Sequence, residues 1–320
     1  MPEMLRAPTR EYRTAVMDSR RWNAYAPRPD DIVIATYPKC GTTWTQRIVD
    51  LLVFQSTEPR TIMLTSRWLD ATFFAPVEQD LEALESQTHR RFIKSHLPLD
   101  ALPVFEGVKY IHVARDGRDA CTSMHNHQLG FLPEMKQRIG AIAAEDPQLA
   151  GLPPPATPED PREYFLQWIG LAEAYEGADY GVDLPFFEFE MTYWNERRRE
   201  NLLLVHYNDL KADLPGEVRR IAEFLEIEVA DDRLAELAAA ARFETMKKQG
   251  HDLLPQLDHA FDRGHDRFLN KGTNGRWKDF LTADDLARYD ALASRKLSGS
   301  AAAWITHGRL GAGDPASLPD

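Results

Sequence analysis

The chain has 320 residues, 43% of them apolar and 28% charged, with a formal net charge of −12. That length buries a large core, as one large α/β domain or two smaller ones. The acidic balance argues against a nucleic-acid-binding surface but leaves room for a small basic pocket around a single anion.

Taken in chain order, the N-terminal MPEMLRAPTREYR lacks the apolar stretch of a signal peptide. No run approaches the ~18 apolar residues of a membrane span. The two cysteines, Cys40 and Cys121, are too few for a disulfide scaffold. The expectation is a cytoplasmic protein with reduced thiols and no membrane partner. The first apolar run, residues 32–36 (IVIAT), reads as a buried strand. It leads into YPKCGTTW at 37–44, and a helix is expected over 42–52. Residues 91–94 (RFIK), 109–114 (KYIHVA) and 202–205 (LLLV) are the further strand candidates. Helical patterns occupy 119–128, 165–175 and 215–225, the last opened by Pro215. Between them, residues 140–151 and Pro153-Pro154-Pro155 read as a surface loop or lid, and residues 308–320 as a tail that frays. Strands alternating with helices predict an α/β fold with a central parallel sheet flanked by helices and a P-loop-like core. The expectation is a single domain over residues 1–310 with a flexible tail at 311–320.

Strand, tight loop and helix is how a phosphate cradle is built. Gly41 lets the backbone turn, Thr42 and Thr43 open the helix with free N–H groups and hydroxyls, and Lys39 adds a full positive charge. The Walker order, with lysine after the last glycine, is absent. A nucleoside triphosphate site also needs Mg²⁺ and a carboxylate to hold it. Here the strand KYIHVA ends in Arg115-Asp116, so basic charge arrives first. That suits a ligand with separate anionic groups and no metal.

YPKCGTTW closely resembles the 5′-phosphosulfate-binding loop of the cytosolic sulfotransferases, which use 3′-phosphoadenosine 5′-phosphosulfate (PAPS). Three more segments follow in that family's order. RFIKSHLPLDALP, residues 91–103, resembles the segment with the catalytic histidine. KYIHVARDGRDACTS, residues 109–123, keeps the arginine and the serine eight positions later that bind the 3′-phosphate. NKGTNGRWKDFLT, residues 270–282, resembles the C-terminal R-K-G segment. WLD at Trp68 and LLLVHYNDLK at Leu202 match less closely. The resemblance covers residues 22–282.

It implies transfer of a sulfuryl group from PAPS to an acceptor hydroxyl, with His96 as general base and Lys39 and Lys94 stabilising charge. It places Lys39, Cys40, Gly41, Thr42 and Thr43 around the phosphosulfate, and Arg115, Ser123, Asn270, Lys271 and Gly272 around the 3′-phosphate. Trp44, Tyr207, Phe243 and Met246 fall to the adenine. The expected acceptor is a hydroxyl on a hydrophobic small molecule, such as a phenol, steroid or alcohol. Trp68 to Phe74, His125 to Phe131, Trp168, and Phe186, Phe187 and Phe189 are the candidates to line its pocket. A family segment that orders over the cofactor corresponds to residues 251–268, expected to be mobile when empty.

Four departures stand out. Cys40 replaces the family's serine, implicated in restraining the loop lysine, and a thiol hydrogen-bonds more weakly. Asn270 replaces the first phosphate-binding arginine, with Arg263, Arg267 and Arg276 as possible substitutes. Ala241-Arg242 replace the hydroxyl residues before Phe243. The family dimer motif falls on residues 278–287 with Ala283 and Ala287 in place of valine and glutamate, which leaves the oligomeric state open. Two other readings stay open at this level: a P-loop kinase of small molecules, and a nucleotide-binding relative without turnover.

Overall fold

The computed structural model describes residues 2–146, 157–175 and 185–320. The Pro153-Pro154-Pro155 stretch read as a lid lies outside them. Gly140, expected in the same loop, instead sits inside a helix, Pro133–Glu145.

Among the described residues six strands follow in chain order: β1 (Met4–Arg6), β2 (Ile32–Ala35), β3 (Phe92–Ser95), β4 (Val104–Phe105), β5 (Lys109–Ala114) and β6 (Leu202–His206). β1 and β4 form a small antiparallel pair; the other four form one sheet in the order β3-β2-β5-β6, and every pairing in it is parallel. β2 is apolar at every position because both faces are covered. Val33 and Ala35 pack into one core with Phe186 and Tyr193, whereas Ile32 and Ile34 pack into the other with Ile48 and Leu52. One buried ion pair ties two strand starts together: Arg91 Nε donates to Asp31 Oδ1 at 2.7 Å.

The register decides where the chemistry sits. Ala35, the last residue of β2, pairs with Ser95 on one side and His112 on the other. The chain runs from β2 to β3, then crosses to β5 on the opposite side. Strand order therefore reverses at β2, and ligands of such sheets bind beyond the carboxyl ends at that point. The residues that follow β2, β3 and β5 begin at Thr36, His96 and Arg115, so the three motif segments emerge side by side. Helices Thr42–Phe54 and Gly117–Gly130 leave from the same edge.

One expectation is corrected here. Phe186, Phe187 and Phe189 do not line an open pocket: they are 0%, 0% and 2% exposed. Their helix, Phe186–Trp194, is apolar on most sides and fills the space under the loop, where Tyr37 meets the rings of Phe186 and Phe189 edge-on at 5.1 and 5.4 Å. Trp168, from the same group, donates its indole N–H to the Tyr37 hydroxyl at 3.1 Å. The C-terminal stretch is laid against the body. Arg197 donates to the carbonyls of Pro315 at 2.9 Å and Leu318 at 3.2 Å, and Arg198 donates to Leu318 at 2.9 Å. No helix among the described residues is long and apolar enough to cross a membrane.

Candidate active site

The loop after β2 turns sharply. Lys39 has φ +70° and Gly41 φ +115°. A left-handed non-glycine residue is strained by about 1–2 kcal/mol, so the fold holds Lys39 in that conformation against a local preference. A Cβ at Gly41 would sit 3.1 Å from the Tyr207 ring, so glycine also lets that ring approach. Cys40 is fully buried beneath the loop, and burial pushes its thiol well above the usual range. It is a neutral packing group. Thr42 Oγ1 lies 2.5 Å from Thr36 Oγ1, which fixes the first turn of the helix to the end of β2.

Three basic residues converge above this loop. His96 is 8% exposed, and its backbone N–H donates to Asp70 Oδ2 at 3.1 Å. Its Nδ1 lies 2.8 Å from the Thr36 carbonyl. A carbonyl only accepts, so Nδ1 carries the proton and Nε2 is left with a free lone pair. Burial first, then the charges of Lys94 and Lys39, lower the His96 pKa well below the ordinary value. The ring is therefore neutral at pH 7. Trp68 stands edge-on to it at 4.9 Å, and the same indole lies 3.9 Å from the Lys94 ammonium. Asp70 accepts the Trp68 indole N–H at 2.7 Å and the Trp22 indole N–H at 3.2 Å. One buried carboxylate thus sets both the histidine backbone and the tryptophan that stands between the neutral His96 ring and the Lys94 ammonium.

The lysines have left water. Burial lowers the Lys94 pKa to about 8, opposed by the charge of Asp70. Burial, then Lys94 and Arg115, lowers that of Lys39 to about 7. The Lys39 ammonium lies 3.4 Å from His127 Nδ1 and 3.9 Å from the centre of the Phe268 ring. His127 belongs to the last turn of helix Gly117–Gly130, while Phe268 ends helix Gly264–Phe268.

Arg115 links the loop to the C-terminal motif. Its guanidinium donates to the Lys39 carbonyl at 3.0 Å and to Asn274 Oδ1 at 2.7 Å, and lies 4.1 Å from the Tyr207 ring centre. Asn274 in turn donates to Asn208 Oδ1 at 2.6 Å, and the Gly275 N–H to Asp119 Oδ1 at 2.7 Å. These ties bring residues 273–275 to the end of β5. Ser123 lies partly exposed on the helix that starts two residues after Arg115. Gly272 has φ +63°, and a Cβ there would strike the Phe243 ring at 2.9 Å. Lys271 is exposed, and the Asn270 carbonyl accepts from Lys247 Nζ at 2.9 Å. The substitutes for the missing arginine separate clearly. Arg267 pairs with Asp262 at 3.4 Å, and Arg263 lies 4.0 Å from the same carboxylate. Arg276 is half-buried beside Arg115 and Tyr207, has no hydrogen bond or ion pair among the described residues, and has its pKa lowered by burial and then by Arg115.

The aromatic residues also gather. Trp44 meets Tyr207 edge-on at 5.4 Å and donates its indole N–H to the Ala241 carbonyl at 2.7 Å. Trp44 and Phe243 border the cluster that contains buried Met246. Asn274 was given no site role from sequence, and Asp70, His127 and Phe268 had only a place within segments expected to line the acceptor pocket or to order over the cofactor. Asn274 lies inside the NKGTNGRW motif and Asp70 inside WLD, so motif membership was a usable signal; for His127 and Phe268 there was none beyond a place in candidate pocket or lid segments.

This architecture, with its lysine loop and arginine at the carboxyl edge of a parallel sheet, defines a nucleotide-binding α/β protein of the P-loop-like class. Comparison with known proteins narrows the class. The model of the sulfotransferase domain family matches residues 29–301, and the chain belongs to that family. It is 35% identical over 320 residues to a glycolipid sulfotransferase of Mycobacterium bovis, covering 96% of each chain. It is 29% identical to mouse sulfotransferase 1B1, with 89% of each covered. Among solved structures it is similar in fold to retinol dehydratase in complex with androsterone and the inactive cofactor PAP (TM-score 0.66, 22% identity, covering 88% of this chain and 84% of that one). A mouse sulfotransferase complexed with PAP gives a TM-score of 0.62 at 20% identity, with 87% of each chain covered.

Proposed function

We propose that this chain transfers the sulfuryl group of PAPS to a hydroxyl of a hydrophobic or amphipathic small molecule, with His96 as the base. The observation that carries this reading is the state of His96. Its Nδ1 proton is spent on the Thr36 carbonyl, its ring is neutral, and two desolvated lysines flank it. In the reaction the acceptor O–H gives its proton to His96 Nε2 as the acceptor oxygen bonds to sulfur. The bond from sulfur to the bridging oxygen breaks, and 3′-phosphoadenosine 5′-phosphate (PAP) leaves. Charge grows on that bridging oxygen, and a lysine held there stabilises it where it develops. Lys39 takes that role, and Lys94 supports the sulfuryl oxygens.

The nucleotide fits the remaining groups. Arg115 and Ser123 hold the 3′-phosphate, with Arg276 in place of the arginine missing at 270. An unpaired guanidinium beside Arg115 is unfavourable until an anion arrives between them. Trp44, Tyr207, Phe243 and Met246 enclose the adenine. The acceptor reading follows from charge and from relatives. An amine acceptor, protonated at neutral pH, would add a third cation beside Lys39 and Lys94; a neutral hydroxyl does not. The mycobacterial relative is named for glycolipid, and the retinol dehydratase structures hold androsterone or retinol. Thermal unfolding with PAP, and separately with ATP and Mg²⁺, tests the nucleotide. Stabilisation by PAP is expected; stabilisation by ATP and Mg²⁺ alone would overturn the reading in favour of a kinase.

A further inference from the structure

The proposed mechanism needs the Lys39 ammonium at the phosphosulfate, yet this structure shows it engaged elsewhere. Its Nζ lies 3.4 Å from His127 Nδ1 and 3.9 Å above the Phe268 ring. His127 is itself boxed by aromatic rings: Phe131 at 4.7 Å, Phe261 at 4.8 Å and Phe268 at 5.7 Å. With Lys39 protonated, its ammonium only donates, and Nδ1 is then the unprotonated, accepting nitrogen of His127. The surroundings keep the ring neutral, which leaves one of its nitrogens free to accept. Burial first, then Lys39, Lys94, His96 and Arg267, lower the His127 pKa well below its ordinary value. The contact is a hydrogen bond from a cation to a neutral acceptor, reinforced by a cation–π contact on the other side.

We infer that His127 is the positioning residue for Lys39: with Phe268 it holds the loop lysine aside, and nucleotide binding must draw the ammonium off it. The inference rests on the proposed function, because it concerns what Lys39 does when the nucleotide arrives. It makes nucleotide affinity the product of two terms. One is the intrinsic attraction of the anion for Lys39, and the other is the fraction of molecules in which Lys39 is free. Removing the acceptor should therefore tighten nucleotide binding, although a side chain that borders the site has been lost. A purely structural role predicts the opposite sign.

The test is equilibrium titration of the full chain with PAP by calorimetry. His127→Phe keeps the aromatic packing and removes the acceptor, and is expected to tighten binding about three- to tenfold. His127→Gln offers a side-chain carbonyl and should restore near wild-type affinity. In a Lys39→Met background the His127→Phe change should have no effect, since the residue acts through Lys39. Unchanged or weaker binding by His127→Phe would overturn the inference, as would tightening that persists without Lys39. If His127→Phe does not fold, Phe268→Leu removes the other holding contact and must tighten binding in the same direction; failure to do so overturns it equally. A wild-type chain that does not bind PAP would overturn the proposed function as well. Binding without the tightening overturns this inference alone.

Discussion

Lys39 joins a strained backbone, a desolvated charge and the chemistry, so Lys39→Met is the most informative single substitution. Methionine keeps the apolar stem in its packing and removes the ammonium. The wild-type lysine falls from an ordinary 10.5 to about 7, mainly through burial. At about 1.4 kcal/mol per pH unit, that fall corresponds to at most about 5 kcal/mol of unfavourable burial. Loss of the contacts to His127 and Phe268, together with relaxation, reduces the net gain to about 2 kcal/mol. The variant should therefore be more stable than the wild type near pH 7, by a few degrees in Tm for a chain of this size. The sign of the pH dependence follows from the same numbers. Between about 7 and 10.5 the unfolded lysine keeps its proton while the folded one has lost it, so wild-type stability rises with pH through that window. The advantage of about 2 kcal/mol for Lys39→Met should shrink as pH rises, be gone by about pH 9 and be reversed by about pH 10. Differential scanning calorimetry of both proteins from about pH 7 to about pH 10 measures it. A variant less stable near neutrality, or a difference independent of pH, would refute the claim that Lys39 carries a buried-charge penalty. Turnover should meanwhile fall at least about a hundredfold.

His96→Gln should reduce turnover by about two to four orders of magnitude with affinity for PAP within about twofold of wild type, read by steady-state kinetics and titration; a small loss of turnover would mean that another group takes the proton. Arg276→Gln should weaken PAP about tenfold and leave 5′-AMP unchanged, since only the former carries the 3′-phosphate; equal weakening of both would place Arg276 elsewhere. Asp70→Asn removes the charge that holds the Lys94 pKa up, so the alkaline limb of the pH–rate profile should move to lower pH from about 8; an unmoved limb would show that Lys94 is not titrating there. Folded pKa values of His96 and His127 are lowered well below 6.5, and that of His206 to about 4. Below about 6.5 the unfolded histidines take protons that the folded ones refuse, so stability is lost as pH falls through that window. Urea unfolding at a series of acidic pH values should show the loss, and a flat profile would contradict the buried neutral histidines.

The sheet was legible because parallel strands buried on both faces are mostly apolar: residues 32–35 are so throughout, and 109–114 at Tyr110, Ile111, Val113 and Ala114 around a buried His112. The anion loop was legible because Lys39, Gly41 and Thr42 act within a few residues of one another. What stayed hidden depends on packing between distant segments. The aromatic run at 186–189 carries the same letters whether it lines a pocket or fills a core, and only the position of Tyr37 above it decides. Lys39 and His127 are 88 residues apart, and nothing local marks their contact. The arginine that sits beside Arg115 was one of three equal candidates in sequence, and Asp262 separates two of them from it. The C-terminal stretch looked free because its own side chains are small and polar; the arginines that receive its carbonyls lie more than a hundred residues earlier.

The central claim is sulfuryl transfer from PAPS, and incubation with PAPS labelled in its sulfate together with a panel of hydroxylated phenols, steroids and glycolipids tests it most directly. The account expects label to pass to at least one hydroxyl acceptor in step with formation of PAP, with no added metal, and to stay on the nucleotide in His96→Gln. Label transferred equally well by His96→Gln, or a wild-type chain that binds PAPS and passes label to no hydroxyl, would contradict it.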